Sequence, residues 1–271
     1  MKKTTIQDLL AAGSHFGHLT RRWNPKMRKY IFMERNGIHI LDLSKTLNLL
    51  ERAQSAIREI AAKGDSILFL GTKKQASEIV KNEAERIGMH FVNSRWLGGT
   101  LTNFSTIKKS VKKMKNLEKM ATDGTYDKLS KKEILTIERE LERYNKMLGG
   151  IRNMNRLPGA IFIVDTKKES IAVAEARRLG IPLFGMVDTN CDPDPIDYVV
   201  PCNDDAFKSI HLVTHVIADA IVDGQAQFSK AKQEAEAVKA EDANGDLTAG
   251  KKMGAGENDK RKKEAGSPVA K

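Results

Sequence analysis

Two charged segments in the middle of the chain place apolar residues at intervals of three and four, which is the spacing of a coiled-coil seam. The first segment carries them at Phe104, Ile107, Val111, Met114, Leu117 and Ala121, and the second at Ile134, Ile137, Leu141, Tyr144 and Leu148. Turn-forming residues 122–127 lie between the segments, and Ser130 with Glu133 has the pattern of a capping box. We therefore predict an inserted antiparallel coiled-coil helical hairpin over residues 104–157.

Short apolar runs and helical patterns alternate on both sides of this hairpin. Five runs are typical of strands buried on both faces, and they lie at Ser66–Leu70, Met89–Val92, Ala160–Val164, Ile181–Val187 and Tyr198–Pro201. Thr72–Gln75 and Thr166–Glu169 have the pattern of capping boxes that open the helices after two of these strands. The alternation predicts an α/β domain with a mostly parallel five-stranded sheet and helices on both faces.

The segments before the sheet carry signals for smaller elements. Thr5 is placed to cap a short helix, and Asp42 or Ser44 to cap a longer one. Asn36–Gly37 separates two apolar runs, which indicates a two-residue β-hairpin. The basic residues 14–30 carry no such period, so we predict that they form a loop.

These elements divide the chain into four parts. Residues 1–103 hold the first half of the α/β domain with its basic extension, 104–157 the hairpin, and 158–228 the second half. Large apolar residues are almost absent from 229–271, so we expect this tail to be disordered apart from a helical start.

Charge is distributed unevenly along the chain, whose formal net charge is +11 and whose pI is near 9.5. Residues 1–35 carry eight cations and two carboxylates. Residues 105–157 carry fourteen cations and seven carboxylates. Residues 158–228 reverse the balance, with five cations and eleven carboxylates. The N-terminus and the hairpin are therefore predicted to face a polyanion, while the acidic half faces solvent or basic proteins.

Cations and aromatic rings alternate within residues 14–30, a mixture that suits RNA because cations reach phosphates and rings stack on bases. The candidate contacts are Arg21, Arg22, Trp23, Lys26, Arg28 and Lys29. The alternative is a solvated loop with Trp23 buried as an anchor. The hairpin candidates lie off the seam, at Lys108, Lys109, Lys112 and Lys113. Arg95 is the one cation of a glycine-rich turn, and it either binds a phosphate or pins the hairpin base.

Signatures of nucleotide enzymes and hydrolases are absent from the sequence. It has no Gly-x-Gly-x-x-Gly, no Walker A motif and no Gly-x-Ser-x-Gly elbow, so we predict that the protein is not an enzyme. An RNA-processing or nucleotide-using enzyme is the main rival class. Cys191 and Cys202 lack metal-ligand spacing, and no apolar run resembles a signal peptide or a membrane span. We expect a soluble, cytoplasmic protein with no membrane partner.

Acidic residues follow the fourth predicted strand and precede the last predicted helix. Asp188, and Asp204 with Asp205, are expected at the carboxyl edge of the parallel sheet, where such folds bind ligands. Nothing in the motifs requires a cofactor. Carboxylates brought this close would nevertheless attract a divalent ion, zinc or magnesium, with His18 completing its ligands. The alternative is that Asp204 or Asp205 simply caps the last helix.

Several motifs, in order over residues 4–224, resemble the family of the bacterial small-subunit ribosomal protein numbered two. These motifs are His15–His18, Trp23–Met27, Phe69–Lys74, Asn93–Asn103, Leu148–Gly150, Leu157–Gly159, Val187–Asn190 and Asn203–Asp205. The resemblance covers the whole chain except the tail, and the tail therefore has no inherited role.

The resemblance implies a flavodoxin-like α/β domain with a protruding coiled coil, placed on the solvent side of the small ribosomal subunit between head and body. It implies a structural, non-catalytic role in translation, as a monomer within the particle that binds rRNA. It also implies that the chain helps to hold the large mRNA-binding ribosomal protein, which carries several OB domains, among its neighbouring ribosomal proteins.

Overall fold

A computed structural model describes residues 4–123, 126 and 129–234. The chain divides into two compact units, Met1–Gln225 and Ala226–Lys271. Residues 226–234 of the second unit are helical, and the rest of the predicted tail lies outside the described residues. Most of the predicted turn at 122–127 also lies outside them.

The N-terminal part of the first unit contains a short helix, a small sheet and a long helix. In chain order these are α1 (Ile6–Ala11), β1 (Phe16–Leu19), β2 (Ile31–Arg35), β3 (Ile38–Leu41) and α2 (Leu43–Ala62). Thr5 caps α1 through a capping box, and Asp42 rather than Ser44 caps α2. Asn36 and Gly37 both have positive φ, as a two-residue hairpin turn requires, so the predicted β2–β3 hairpin is confirmed.

The prediction of a loop over residues 14–30 was wrong in part. Phe16–Leu19 form β1, which pairs with the outer edge of β3 and gives the strand order β1-β3-β2. Two 3-10 segments, Thr20–Arg22 and Pro25–Tyr30, follow. The edge of β3 provides hydrogen-bond partners for the backbone of β1. The pattern of apolar residues within 14–30 does not show this pairing. Gly17 also brings β1 close to a distant loop, because a Cβ there would lie 2.5 Å from Thr189 Cγ2.

The predicted α/β core is confirmed. The remaining elements are β4 (Ile67–Leu70), α3 (Lys74–Arg86), β5 (His90–Val92), α4 (Phe104–Met120), α5 (Lys131–Leu148), β6 (Ala160–Val164), α6 (Ser170–Leu179), β7 (Leu183–Val187), β8 (Tyr198–Pro201) and α7 (207–225 within this unit). Five strands form one sheet in the order β5-β4-β6-β7-β8, and every neighbouring pair is parallel. The sheet with its helices fits the flavodoxin-like α/β class that was predicted.

Hydrophobic clusters cover both faces of this sheet. Ile67 and Phe69 of β4 belong to the cluster formed with α2, α3 and α7. Leu68 and Leu70 of the same strand belong to the other cluster, which contains α6 and the inner residues of α4 and α5. Because side chains alternate along a strand, continuous apolar strands supply both clusters at once.

The two inserted helices, α4 and α5, contact each other and the second cluster. Ile107, Met114 and Leu148 are buried, whereas Ala121 is exposed and does not belong to the seam that was predicted for it. Ser130 opens α5 with the predicted capping box. The coiled-coil geometry of this pair stays a prediction.

Two other predicted capping boxes were wrong. Helix α3 begins after Lys73, and α6 begins after Glu169, both without a side-chain cap. Thr72 instead donates from its backbone N and from Oγ1 to Glu169 Oε1. The carboxyl ends of β4 and β6 lie side by side, so this partner from the neighbouring loop replaces the local one.

Candidate RNA-facing surfaces and a buried carboxylate cluster

The basic N-terminal segment presents unpaired cations on its surface. Arg21, Arg22, Arg28 and Lys29 are exposed, and within the described part of the chain none of them forms a salt bridge. The Trp23 ring is half-buried, with its centroid 5.0 Å from that of His39. The ring is therefore partly anchored, as the alternative interpretation expected, while its contact with RNA stays a prediction.

Lys26 differs from the other cations of this segment. Its Nζ lies 2.8 Å from Asp192 Oδ2 and 2.6 Å from Asp194 Oδ2. Hydrogen bonds to Asp192 and then Asp194 raise the pKa of Lys26. The charge of Lys26 is therefore already engaged with the acidic loop after β7, and less of it is available to RNA.

The four candidate lysines of α4 are exposed but not equivalent. Lys109 and Lys112 form no salt bridge with the described residues. Lys108 lies over the Phe104 ring at 4.9 Å from its centroid. Lys113 crosses to α5 and pairs with Glu140 at 2.6 Å. Lys109 and Lys112 are thus the freest cations among these four.

A buried carboxylate, rather than Arg95, pins the base of the hairpin. Glu175 of α6 is 8 % exposed, and its Oε1 accepts hydrogen bonds from Trp96 Nε1 at 3.0 Å and from Gly99 N at 2.8 Å. Its Oε2 accepts from Leu101 N at 3.0 Å and from Thr102 N and Oγ1 at 3.1 Å. Burial opposes the charge of Glu175, but these donors outweigh it and lower the pKa.

Arg95 itself is exposed, and among the described residues it has no salt-bridge partner. The prediction that it pins the hairpin base was therefore wrong, and contact with a phosphate stays its predicted role. The sequence offered one signal for Glu175, since a lone acid falls among the buried residues Ala172, Val173 and Ala176 of α6. The identity of its partners, more than seventy residues upstream, was not visible.

A groove of about 900 Å³ beside the hairpin base adds cations that sequence patterns did not indicate. Its lysines come from three separate elements and are Lys74, Lys81, Lys146 and Lys168. Glu78 and Glu85 also line it, so the net charge of the groove is positive. No motif unites these lysines, because only the fold brings α3, the end of α5 and the loop after β6 together.

The predicted acidic cluster does assemble at the carboxyl edge of the sheet. His18 Nδ1 lies 3.1 Å from Asp188 Oδ2, and His18 Nε2 lies 3.3 Å from Asp205 Oδ2. Asp188 and Asp204 are almost fully buried, whereas the side chain of Asp205 is half exposed. Asn203, rather than Asp204 or Asp205, accepts the backbone N–H groups that precede α7, so the capping alternative was wrong.

Lys73 is the functional group of this cluster that sequence reasoning missed. Its Nζ lies 2.8 Å from Asp204 Oδ1, 2.5 Å from Asp205 Oδ1 and 3.4 Å from Asp165 Oδ2. Burial opposes its charge, but the hydrogen bonds to Asp204 and Asp205 outweigh that effect and raise the pKa of Lys73. A cation therefore already stands among the three carboxylates.

Asp204 nevertheless remains poorly satisfied. Burial, followed by repulsion from Asp188 and Asp165, raises its pKa to about 7. Its Oδ2 is buried without a hydrogen-bond partner among the described residues. The hydrogen bond to Asp188 raises the pKa of His18 against the opposing effect of burial. The cluster thus contains more negative charge than Lys73 alone offsets.

The donor set offers the ligand types of a divalent ion. One ligand atom each from His18, Asp188 and Asp204 lie within 4.8 Å of one another. Asp165, Cys191 and Asp204 form a second such group. Burial raises the pKa of the Cys191 thiol to about 12, and a thiol that resists ionisation is a poor metal ligand. The imidazole and carboxylate group is therefore the better candidate.

A family model described as "Ribosomal protein S2" matches residues 9–224. The chain belongs to the ribosomal protein S2 family. The resemblance that the motifs indicated is therefore confirmed. Proteins of this family are structural components of the small ribosomal subunit in translation, rather than enzymes.

Membership of the S2 family agrees with the surfaces described above. A component of the small subunit has rRNA and other ribosomal proteins as its neighbours, and the exposed cations suit the former. None of the helices in the described ranges is long and apolar enough to span a membrane.

Proposed function

We propose that this S2 family member binds small-subunit rRNA through its basic N-terminal segment, its hairpin and Arg95. The observation that carries the proposal is the set of exposed cations without acidic partners, Arg21, Arg22, Arg28 and Lys29. Lys109 and Lys112 extend the same chemistry onto the hairpin, with Lys108 and Lys113 beside them. Phosphate contacts of this kind supply most of the affinity in RNA recognition and make it dependent on salt.

The salt dependence of binding tests this proposal. Replacing Arg21, Arg22, Arg28 and Lys29 by Ala should weaken rRNA binding and reduce the slope of log affinity against log salt by about three. A charge-matched control replaces the exposed cations Arg52, Lys63, Arg178 and Lys208, which lie outside the basic N-terminal segment and the hairpin. An unchanged slope in the first variant, or an equal change in the control, would remove this segment from the interface.

Co-sedimentation separates this function from the rival enzyme class. A structural protein of the small subunit should remain with small subunits through a cushion of moderate salt. An RNA-processing or nucleotide-using enzyme should instead dissociate and show turnover in the free fraction.

We also propose that the small N-terminal sheet helps to hold the large OB-domain mRNA-binding ribosomal protein. One face of this sheet carries an apolar row, because Phe16 and Met33 both pair with Ile40, and Leu19 pairs with Ile38. Phe16, Met33 and Leu19 are 48 %, 47 % and 38 % exposed. Arg35 also pairs with Ile38 and so borders this row. An exposed apolar patch with a polar border is typical of a protein–protein contact.

A double variant tests this docking surface. Phe16→Asp with Met33→Asp should lower the amount of the OB-domain protein retained on purified small subunits several-fold. Phe207→Asp is the control, since Phe207 is also exposed, at 57 %, but lies on α7. Equal retention by the double variant and the control would reject this surface.

We further propose that His18, Asp188 and Asp204, with Asp205 beside them, hold a divalent ion. The unpartnered Asp204 Oδ2 and the convergence of the three ligand atoms support it. Zinc suits a mixed imidazole and carboxylate site better than magnesium, which prefers oxygen ligands and water. Such an ion would offset the charge that Lys73 leaves and fix β1 against the sheet edge. No cofactor for catalysis is proposed.

Elemental analysis of protein purified without chelator tests the ion. About one equivalent of zinc is expected, and His18→Ala should remove most of it. Less than about a tenth of an equivalent of any transition metal would reject the tight site that this coordination implies.

A further inference from the structure

A pocket of about 670 Å³ lies between the N-terminal basic segment and α6. Trp23 and Val173 contribute apolar surface, Asn24 and Asn190 contribute carboxamides, and Lys167 and Arg177 lie at its cationic side. The lining residues come from the segment before Pro25–Tyr30, from α6 with the loop before it, and from the loop after β7. The pocket is large enough for a nucleotide.

We propose that this pocket binds one unpaired nucleotide of rRNA, with the base against the Trp23 ring and the phosphate at Arg22, Lys167 and Arg177. This inference rests on the proposed rRNA-binding function and specifies which part of the RNA this surface recognises. Aromatic rings stack on bases that have left a helix, because bases inside an A-form duplex are not accessible to side chains.

The carboxamides supply hydrogen bonds for the edge of the base. Asn24 Oδ1 already accepts from Lys26 N at 3.0 Å, and Asn190 Oδ1 accepts from Cys191 Sγ at 3.1 Å. Neither amide NH₂ group has a partner within the residues that the structure describes. Two N–H donors therefore remain for the carbonyl and ring-nitrogen acceptors of a base.

The charges around the pocket favour a phosphate despite one acid in its lining. Asp192 lines the pocket, but Lys26 binds it at 2.8 Å and lowers its pKa, so this carboxylate is ionised and paired. Arg22 and Lys167 are exposed and have no acidic partner among the described residues, while Arg177 lies 3.7 Å from Asp197. The salt bridge to Lys26 thus offsets the negative charge of Asp192 and reduces its repulsion of a phosphate in the pocket.

Binding of short RNAs to the full chain tests this inference. The probes are a single-stranded nine-nucleotide oligoadenylate and a blunt RNA duplex of nine base pairs. We expect the single strand to quench the tryptophan fluorescence of the wild type but not that of Trp23→Phe, which retains only Trp96, while the duplex leaves both unchanged. Trp23→Ala should weaken single-strand binding roughly tenfold, because one stacked base is lost. Trp23→Phe should retain most of the affinity.

A second variant guards against a folding defect in Trp23→Ala. Ala174 is exposed on α6 and lines the same pocket, so Ala174→Phe should fill the space and weaken single-strand binding while leaving Trp23 in place. Equal affinity of the wild type and Ala174→Phe for the single strand would overturn the pocket. Equal losses for single strand and duplex in Ala174→Phe would also overturn it.

The salt-slope experiment distinguishes this inference from the function on which it rests. If the variant lacking four arginine and lysine side chains binds rRNA normally, the rRNA-binding role of the segment fails. If that variant weakens binding but Ala174→Phe and Trp23→Ala bind normally, only the nucleotide pocket fails.

Discussion

Glu175 and Asp204 are both buried carboxylates, yet their environments shift their pKa values in opposite directions. Glu175 accepts five hydrogen bonds from the loop at the hairpin base, and its pKa is lowered. Asp204 receives Lys73 on one oxygen, keeps the other unpartnered, and its pKa rises to about 7. Burial is common to both, so the sign is decided by what surrounds each carboxylate: five donors around Glu175, and one cation with two repelling carboxylates around Asp204.

This difference separates a structural acid from an acid that can still bind something. Glu175 has no remaining capacity, because each of its oxygens already accepts two or more hydrogen bonds. Asp204 retains an oxygen that a proton or a cation would satisfy. Experiments on the two residues should therefore give contrasting results.

The largest effect is expected from Glu175→Ala. Truncation leaves Trp96 Nε1 and the N–H groups of Gly99 and Leu101 without their acceptor, so the free energy of unfolding should fall by about 3 kcal/mol or more. Urea denaturation measures this change. Glu138→Ala is the control, since Glu138 is exposed on α5. A loss below about 1 kcal/mol would show that water replaces the carboxylate at low cost.

A somewhat smaller loss is expected from Lys73→Met. The methionine keeps the apolar stem but leaves Asp204 and Asp165 without their cation, which should cost about 2 kcal/mol in metal-free protein. Lys74→Met is the matched control, because Lys74 is the exposed neighbour. Equal denaturation midpoints for the two variants would mean that the cluster does not depend on Lys73.

Glu175→Gln and Asp204→Asn should change the free energy of unfolding in opposite directions. Glu175→Gln replaces an acceptor oxygen by an NH₂ group that faces N–H donors, so we expect a loss of about 2 kcal/mol. Asp204→Asn removes repulsion from Asp188 and Asp165, so its effect with chelator present should stay within about 1 kcal/mol and be stabilising. Destabilisation by both amides to the same extent would erase the contrast between the two sites.

The contrast between the two carboxylates should also appear in the pH dependence of stability. The folded pKa of Glu175 lies below its ordinary 4.5, so its contribution is present above pH 4.5 and is lost as the pH falls through the folded value. The folded pKa of Asp204 is raised from 3.8 to about 7, so its contribution is present below pH 3.8 and is lost as the pH rises through 7.

Denaturation of metal-free protein from pH 3 to pH 8 measures both contributions. Glu175→Gln should flatten the acid side of the stability profile, and Asp204→Asn should flatten the side between pH 4 and pH 7. Glu138→Gln should change neither side. If neither amide variant changes the pH dependence of the free energy of unfolding, that dependence arises from other groups.

Local signals in the sequence predicted most of the fold. The strands of the large sheet are recognised by their continuous apolar runs. The turn at Asn36–Gly37 and the capping box of Ser130 and Glu133 each depend only on residues that are close in sequence. Topology predicted the acidic cluster, because Asp188 and Asp204 follow neighbouring parallel strands and must meet at one edge.

Contacts between distant residues account for what the sequence did not predict. Glu175 binds a loop that lies before the hairpin, and Lys73 pairs with a residue 131 positions away. The Thr72 hydroxyl likewise donates to Glu169, whereas the local pattern predicted that it would cap α3. In each case the sequence contains several residues that could pair with the charged or hydroxyl group. Which of them does so depends on the tertiary structure.

The close passage at Gly150 bears on the order in which this chain folds. A Cβ there would lie 2.1 Å from the Phe91 carbonyl oxygen, so the returning chain runs directly against β5. Once α4 and α5 have paired through local contacts, residues far apart in sequence are held beside one another, and the loop that must close before β6 joins β4 is shortened. We therefore expect the hairpin to serve the chain before any partner is present, because pairing of its two helices lowers the entropic cost of completing the sheet.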